Sequence, residues 1–178
     1  NNQDLNYHLT QYSCLSIKNF IKILKDSFYL TKVYSKLNIN EFQISFFKSS
    51  FNYWPLFKSD FAEAFNYKSL IINLLYVNYF EELSSLLVDQ KKIIYLQENQ
   101  NWEIPLLHFL KKNSKKKLIG FPHASIRFWD LRYFYAPNFL KKNNQNLYPR
   151  PDFIAVNGPI SKKLLSQISY PKNELIEV

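Results

Sequence analysis

Three short apolar runs decide the fold: IIYLQ at residues 93–97, LIGFP at 118–122 and FIAV at 153–156. Continuous apolar runs of this length, bounded by turn residues and separated by longer segments, are typical of buried parallel strands. The pattern predicts parallel strands at 92–97, 117–121, 153–157 and 174–178. Their order, β-α-β-loop-β-α-β, is that of a doubly wound sheet. We therefore expect an α/β fold with a Rossmann-like parallel sheet, flanked by helices, over residues 90–178.

The segment before the first strand carries helical patterns, so residues 1–89 are expected to be a helix-rich part of the domain. Its clearest signal is an apolar stripe at i, i+3, i+4 spacing that follows Ser16, a good N-cap residue. The stripe consists of Ile17, Phe20, Ile21, Leu24 and Phe28. Further helices are predicted from Pro55 onward and at 69–87, 102–112 and 160–168.

The composition excludes several classes of site. The chain has two glycines and no Gly-rich phosphate-binding motif, so a phosphate would have to be held by helix N-termini or basic side chains. One cysteine and three scattered histidines give no metal-ligand spacing. We therefore expect neither a metal nor a cofactor. No signal peptide or membrane-spanning run is visible, which favours a cytoplasmic location.

The net charge of +9 is spread along the chain except for one dense run, KKNSKKK at 111–117. This run lies between a predicted helix and a predicted strand, at the edge of the sheet away from the ends of the apolar runs. Three interpretations stay open: a solvated loop, a patch facing an anionic membrane, or a nucleic-acid contact. The first is preferred and the third is the weakest, so we expect no nucleic-acid partner.

Two polar side chains come directly after the first two predicted strands, where ligands of open α/β sheets bind. Glu98 follows the first strand, and partial burial there would raise its pKa and suit it to act as a general base. The alternative is a capping role for Glu98 at the next helix. Glu103, inside that helix, is expected to be a charge of the capping region. His123 follows the second strand and can donate to a phosphate or orient a carboxylate.

The long segment after His123 is predicted to be irregular, and it contains the densest mixture of charge and aromatic rings. Arg127, Asp130 and Arg132 can clamp a phosphate or an acidic sugar, and Trp129 or Tyr133 can stack on a sugar face. A self-contained Arg–Asp–Arg network that fixes the loop is an equal alternative. Asn157, before Gly158, can present backbone donors to a ligand, although a plain strand-to-helix turn is preferred there.

Three blocks of the second half carry a family resemblance: ENQNWE at 98–103, GFPHASIRFWDLRY at 120–133 and PDFIAVNGP at 151–159. Together they resemble proteins of bacterial surface-carbohydrate biosynthesis, and more broadly the N-terminal half of GT-B glycosyltransferases that build capsule and lipopolysaccharide. The resemblance covers about residues 90–178. In similar transferases a carboxylate after a strand of this domain acts as the base, and Glu98 occupies the like position.

The resemblance implies sugar transfer from a nucleotide-sugar donor to a saccharide or lipid-linked acceptor. It also implies a second, donor-binding domain after Val178, without which residues 1–178 should be inactive alone. A peripheral contact with the inner membrane would suit a lipid-linked acceptor. Two other functions stay open: a nucleotide-sugar epimerase of the same architecture, and a non-catalytic scaffold at the membrane surface.

Overall fold

The structure, a computed structural model, consists of two compact units, residues 1–79 and 80–178. It describes residues 9–10, 13, 15–44, 50–112, 116–123, 126, 131–133, 148–168 and 170–178. Three helices precede the sheet: α1 (Ile17–Tyr34), α2 (Trp54–Ala64) and α3 (Tyr67–Leu86), the last of which runs from the first unit into the second. The predicted helices are thus confirmed within a few residues.

Helix α1 begins where the sequence predicts, but it packs through a different face. The Ser16 hydroxyl accepts a hydrogen bond from the Asn19 N–H at 3.1 Å, which confirms the N-cap. Ile23 is fully buried and packs with Leu70 and Leu74 of α3. The stripe of Ile17, Phe20, Ile21, Leu24 and Phe28 is exposed instead. Periodicity identifies the apolar side of a helix but not the element that covers it.

The second unit is built on one parallel sheet. Its strands β1 (Lys92–Gln97), β2 (Lys117–Pro122), β3 (Phe153–Val156) and β4 (Leu175–Glu177) pair in sequence order. All three pairings are parallel, so the strand predictions are confirmed with end shifts of one residue. Helices α4 (Glu103–Lys112) and α5 (Pro159–Gln167) connect the outer pairs, and short 3-10 turns occupy Leu131–Tyr133 and Lys172–Glu174. The result is an α/β fold consistent with a Rossmann-like sheet.

The sequential strand order has a consequence for the two faces of the sheet. A doubly wound sheet reverses its strand order at one point, and the four described strands contain no reversal. Right-handed crossovers in one direction place the connecting helices on one face. In agreement, the buried cluster on this face joins Ile154 and Leu175 to Leu165 of α5, and Leu107 of α4 lines the same cavity as Ile154.

In the described part of the chain, the opposite face of the sheet is exposed along its two edge strands, which corrects the prediction of buried strands. Ile94 and Leu96 of β1 are 69% and 53% exposed, and Ile176 of β4 is 37% exposed. The register places Ile94 beside Ile119 and Leu96 beside Phe121, both only half-buried. We call this surface the open face of the sheet.

The lysine-rich run at 111–117 is not simply a solvated loop. Lys111 lies in α4 with its Nζ 3.3 Å from the Asp152 carboxylate, which also accepts the Leu118 N–H at 2.9 Å. Lys116 is buried at 7% exposure. Residues 113–115 lie outside the described residues. Part of this positive charge therefore fixes the start of β2 instead of facing a partner.

Candidate functional site

The turn after β1 is held by the carboxylate of Glu103 at the start of α4. Its Oε1 accepts the Glu98 N–H at 2.7 Å and the Gln100 N–H at 3.0 Å. Between these two residues, Asn99 adopts a left-handed backbone conformation with φ of 55°, which asparagine tolerates better than most residues. The carboxylate thus satisfies two backbone donors at a helix start and fixes the direction in which the chain leaves the sheet.

Burial at this turn is deeper at Glu103 than at Glu98, which is partly buried as the sequence predicts. Glu103 is 4% exposed, and burial raises its pKa above the ordinary value of 4.5, although backbone hydrogen bonds from Gln100, Glu98 and Asn99 pull the pKa down. The Glu98 side chain is 37% exposed. The expected capping charge of Glu103 is therefore a structural anchor, and Glu98 is the more accessible of the two carboxylates.

A second support for the same turn comes from the 3-10 turn at Leu131–Tyr133. The buried Tyr133 hydroxyl donates to the Gln97 carbonyl at 3.1 Å, and the Arg132 guanidinium donates to the Glu98 carbonyl at 3.2 Å. Both bonds join positions more than thirty residues apart in the chain. The backbone on either side of the Glu98 side chain is therefore held by three different residues.

Glu98 and His123 meet at the carboxyl edge of the sheet. They follow the paired strands β1 and β2, whose last residues, Gln97 and Pro122, are register partners. The His123 Nδ1 lies 3.9 Å from the Glu98 Oε1, and the side chains are 66% and 37% exposed. This distance is slightly beyond a direct hydrogen bond. A small side-chain rotation, or a hydroxyl placed between the two groups, would connect them.

A small cavity on the covered face of the sheet is lined in part by Asn99 and Glu103 of the same turn. Its volume of about 20 Å³ is enough for about one water molecule. Gln97, only 3% exposed, lines it, and its Oε1 has no hydrogen-bond partner in the described part of the chain, while its Nε2 donates to the Asn99 Oδ1 at 3.2 Å. Arg150, Tyr95 and Tyr170 also line the cavity.

Gly120 makes room for the buried Gln97 side chain. A Cβ at position 120 would lie 2.4 Å from the Gln97 Oε1 and 3.2 Å from a ring carbon of Pro151. The glycine therefore lets a long polar side chain cross the neighbouring strand. Neither Gln97 nor Gly120 stood out in the sequence as a site residue, since nothing local distinguishes them from the rest of a strand.

The other predicted site residues have different outcomes. Arg132 lies beside Glu98, as expected. Asn157 is exposed, and its Oδ1 is 3.0 Å from the Ser161 hydroxyl in the first turn of α5, in agreement with the preferred strand-to-helix turn. Arg127, Trp129 and Asp130 lie outside the described residues. The structure thus brings together Glu98, His123 and Arg132, and places Asn157 at the turn after β3.

Two further findings concern the described residues alone. Within them, no three or more His, Cys, Asp or Glu side chains converge in a way that would hold a metal ion. In the same ranges, no helix combines the length and the apolar character needed to cross a bilayer.

Comparison with known proteins adds no relative. No protein-family description, no curated protein and no solved structure matches this chain.

Proposed function

We propose that Glu98, as a general base, and His123, as a cationic partner, catalyse the transfer of a glycosyl group from a nucleotide-sugar to a hydroxyl acceptor. The observation that carries the proposal is the 3.9 Å approach of the two side chains at the ends of adjacent parallel strands. Ligands of open parallel sheets bind at this edge. The resemblance of residues 90–178 to surface-carbohydrate glycosyltransferases is what favours glycosyl transfer among acid–base reactions.

Each residue has a distinct role in this proposal. The Glu98 carboxylate accepts the proton of the acceptor hydroxyl as the new glycosidic bond forms. His123 in its protonated form and the Arg132 guanidinium offset the negative charge of the departing phosphate. The phosphate leaves with the electron pair of the broken sugar–oxygen bond. The proton held by Glu98 is then released to solvent, which the exposure of both side chains allows.

Glu103 and Tyr133 would act on the reaction through position only. They hold the backbone at Glu98 and Gln97 with hydrogen bonds of 2.7 Å and 3.1 Å. A carboxylate that must meet a hydroxyl within about 3–3.5 Å benefits from such support, because misplacement by about 1 Å costs about a hundredfold in rate. We therefore expect Glu98 to enter the reaction with a fixed backbone and a rotating side chain.

The test is a pair of substitutions with matched controls in the full-length natural protein. Glu98→Gln removes the base while keeping the shape of the side chain, and should lower turnover by about 10²–10⁴-fold. Glu41→Gln makes the same change at an exposed position of the first unit and should leave turnover unchanged. His123→Gln should lower turnover and alter its pH profile, whereas His108→Gln, on the exposed side of α4, should do neither.

The assay supplies a panel of nucleotide-sugars with saccharide and lipid-linked acceptors, and it analyses both products. A glycosylated acceptor together with free nucleotide is expected. Recovery of an epimeric nucleotide-sugar without transfer would replace glycosyl transfer by epimerisation. Undiminished turnover of Glu98→Gln would show that Glu98 is not the base.

A further inference from the structure

One side of α1 carries large apolar side chains that are exposed. Ile17 and Phe28 are 82% and 75% exposed, and Phe20, Ile21 and Leu24 are between 43% and 57% exposed. These five residues follow the spacing of one helical face. Large exposed patches of this kind usually mark an interaction site.

The outward orientation of this stripe follows from how α1 is anchored. The residues buried on the helix are Asn19, Ile23 and Ser27. Ile23 is in contact with Leu70 and Leu74 of α3, with Leu30 packed beside them. The stripe lies on average about 120° around the helix from these anchors, at 100° per residue. The packing of α1 on α3 therefore leaves the most apolar side of α1 turned to solvent.

Lysines flank the apolar stripe along one side. Lys18, Lys25 and Lys32 are all exposed and recur every seven residues, so they form a row parallel to the stripe. The row is centred about 80° around the helix from the stripe, and Lys22 lies just beyond it. Asp26, the only acidic residue of α1, lies on the opposite side, near the buried face. The apolar stripe and the lysine row of α1 can therefore contact one flat surface at the same time.

We propose that α1 lies flat on an anionic lipid surface, with its apolar stripe among the acyl chains and its lysine row at the headgroups. An apolar strip bordered by cationic side chains is the composition of interfacial helices, which bury one face about 5–10 Å into the membrane boundary. The charge complementarity between the lysine row and anionic lipid selects this occupant over an apolar protein groove. At 1.5 Å per residue, α1 would lie along about 27 Å of bilayer surface.

The experiment uses vesicle flotation with two lipid compositions. Vesicles of phosphatidylcholine containing roughly one third phosphatidylglycerol should carry the protein, while pure phosphatidylcholine vesicles should carry much less. Lys18→Gln with Lys25→Gln should weaken the partition into anionic vesicles by roughly 10- to 30-fold at low salt. Phe28→Ser should weaken it by about tenfold with either lipid, because Phe28 contributes apolar contact and no charge.

Matched controls separate this surface from general charge and apolar exposure. Lys91→Gln with Lys172→Gln removes the same charge at exposed positions of the second unit and should change the partition by less than about threefold. Ile160→Ser removes an 83% exposed apolar side chain from α5 and should also leave binding unchanged. Circular dichroism of every variant verifies that the helices are retained.

Two results would overturn the proposal. Equal partition of the α1 variants and their controls would show that net charge, and not this helix, drives binding. Absence of vesicle binding together with a concentration-dependent dimer that Phe28→Ser dissociates would assign the stripe to a contact between two copies of the chain. The activity assays for Glu98 and His123 do not depend on either outcome.

Discussion

Gly120 shows how one residue type at one position controls the packing behind the candidate site. The Cβ of an alanine there would collide with the buried Gln97 side chain, so that this side chain or the β2 backbone must shift. We expect Gly120→Ala to lower the free energy of unfolding by about 1–3 kcal/mol. In a Gln97→Ala background the same substitution should cost less than about 1 kcal/mol, because the colliding atoms are gone. Urea denaturation of the four proteins measures the coupling. Equal costs in both backgrounds would place the collision at Pro151.

Glu103 gives a prediction about pH, since burial raises its pKa above 4.5. Between about 4.5 and that raised value the folded state binds more protons than the unfolded chain, so the contribution of Glu103 to stability falls as pH rises. Glu103→Gln keeps an oxygen that can accept both backbone N–H groups and removes the titration. We therefore expect the wild type to lose stability relative to Glu103→Gln as pH rises from about 4.5 toward neutrality.

Glu103→Ala tests how much the hydrogen bonds accepted by the Glu103 carboxylate contribute to stability. It removes the acceptor of two backbone hydrogen bonds at a buried turn, and should cost about 2–4 kcal/mol at neutral pH. Urea denaturation at several pH values measures all three proteins. A pH-independent difference between the wild type and Glu103→Gln, or a cost of alanine no larger than that of glutamine, would contradict the role assigned to this carboxylate.

The sequence predicted the turn after β1 and the partial burial of Glu98, but it did not indicate the deeper burial of Glu103. Glu98 follows an apolar run directly, so the pattern assigns it the desolvated position. In the structure the chain turns at Asn99, and α4 carries the Glu103 side chain back beneath the turn. This placement of the Glu103 side chain depends on the left-handed backbone conformation of Asn99 and on two backbone N–H groups that donate to one oxygen. The spacing of residues does not contain this information.

At the scale of elements, the Arg150–Glu174 pair joins the segment before β3 to the turn before β4. The two guanidinium nitrogens bind the two carboxylate oxygens, with Nη2 at 3.1 Å from Oε1, and the side chains are only 9% and 15% exposed. Removing one partner of a buried pair leaves the other charge uncompensated. We expect Glu174→Gln to lower the free energy of unfolding by about 3 kcal/mol.

The exposed pair of Lys162 and Glu177 is the matched control for this prediction. Its atoms are 3.6 Å apart and its side chains are 41% and 42% exposed. Glu177→Gln makes the same chemical change in the next strand and should cost less than about 0.5 kcal/mol. Thermal or urea denaturation of the two variants compares them directly. Equal costs would mean that water reaches Arg150 in solution.

Elements were the part of this fold that the sequence predicted best. Short apolar runs separated by helix-length segments determine strand positions strongly, and all four strands were found. The side of an element that becomes buried was predicted less well. Both the α1 stripe and the β1 residues Ile94 and Leu96 are exposed. An apolar pattern states which side prefers burial, but coverage also depends on strand order and on the neighbours available.

For the whole molecule, the same substitution should cost much more stability on the covered face of the sheet than on the open face. Ile154 on the covered face is 3% exposed and Ile94 on the open face is 69% exposed. We expect Ile154→Thr to cost about 2 kcal/mol or more and Ile94→Thr to change stability by less than about 0.5 kcal/mol. Ile94→Thr should also reduce light scattering from self-association at high concentration. A comparable loss of stability in both variants would show that the open face is covered in solution.

The open face also bears on how the folded state of this protein would be recognised at the bench. Hydrophobic dyes such as ANS gain fluorescence on exposed apolar surface, and this gain is often taken as the mark of a molten globule. We expect the native protein itself to increase the fluorescence of ANS. Near-UV circular dichroism would still report rigid aromatic packing, because Trp102 lies 6.1 Å from the ring of Phe80 and 6.3 Å from that of Tyr95. High ANS fluorescence together with an intact near-UV circular dichroism spectrum would therefore identify the correctly folded chain.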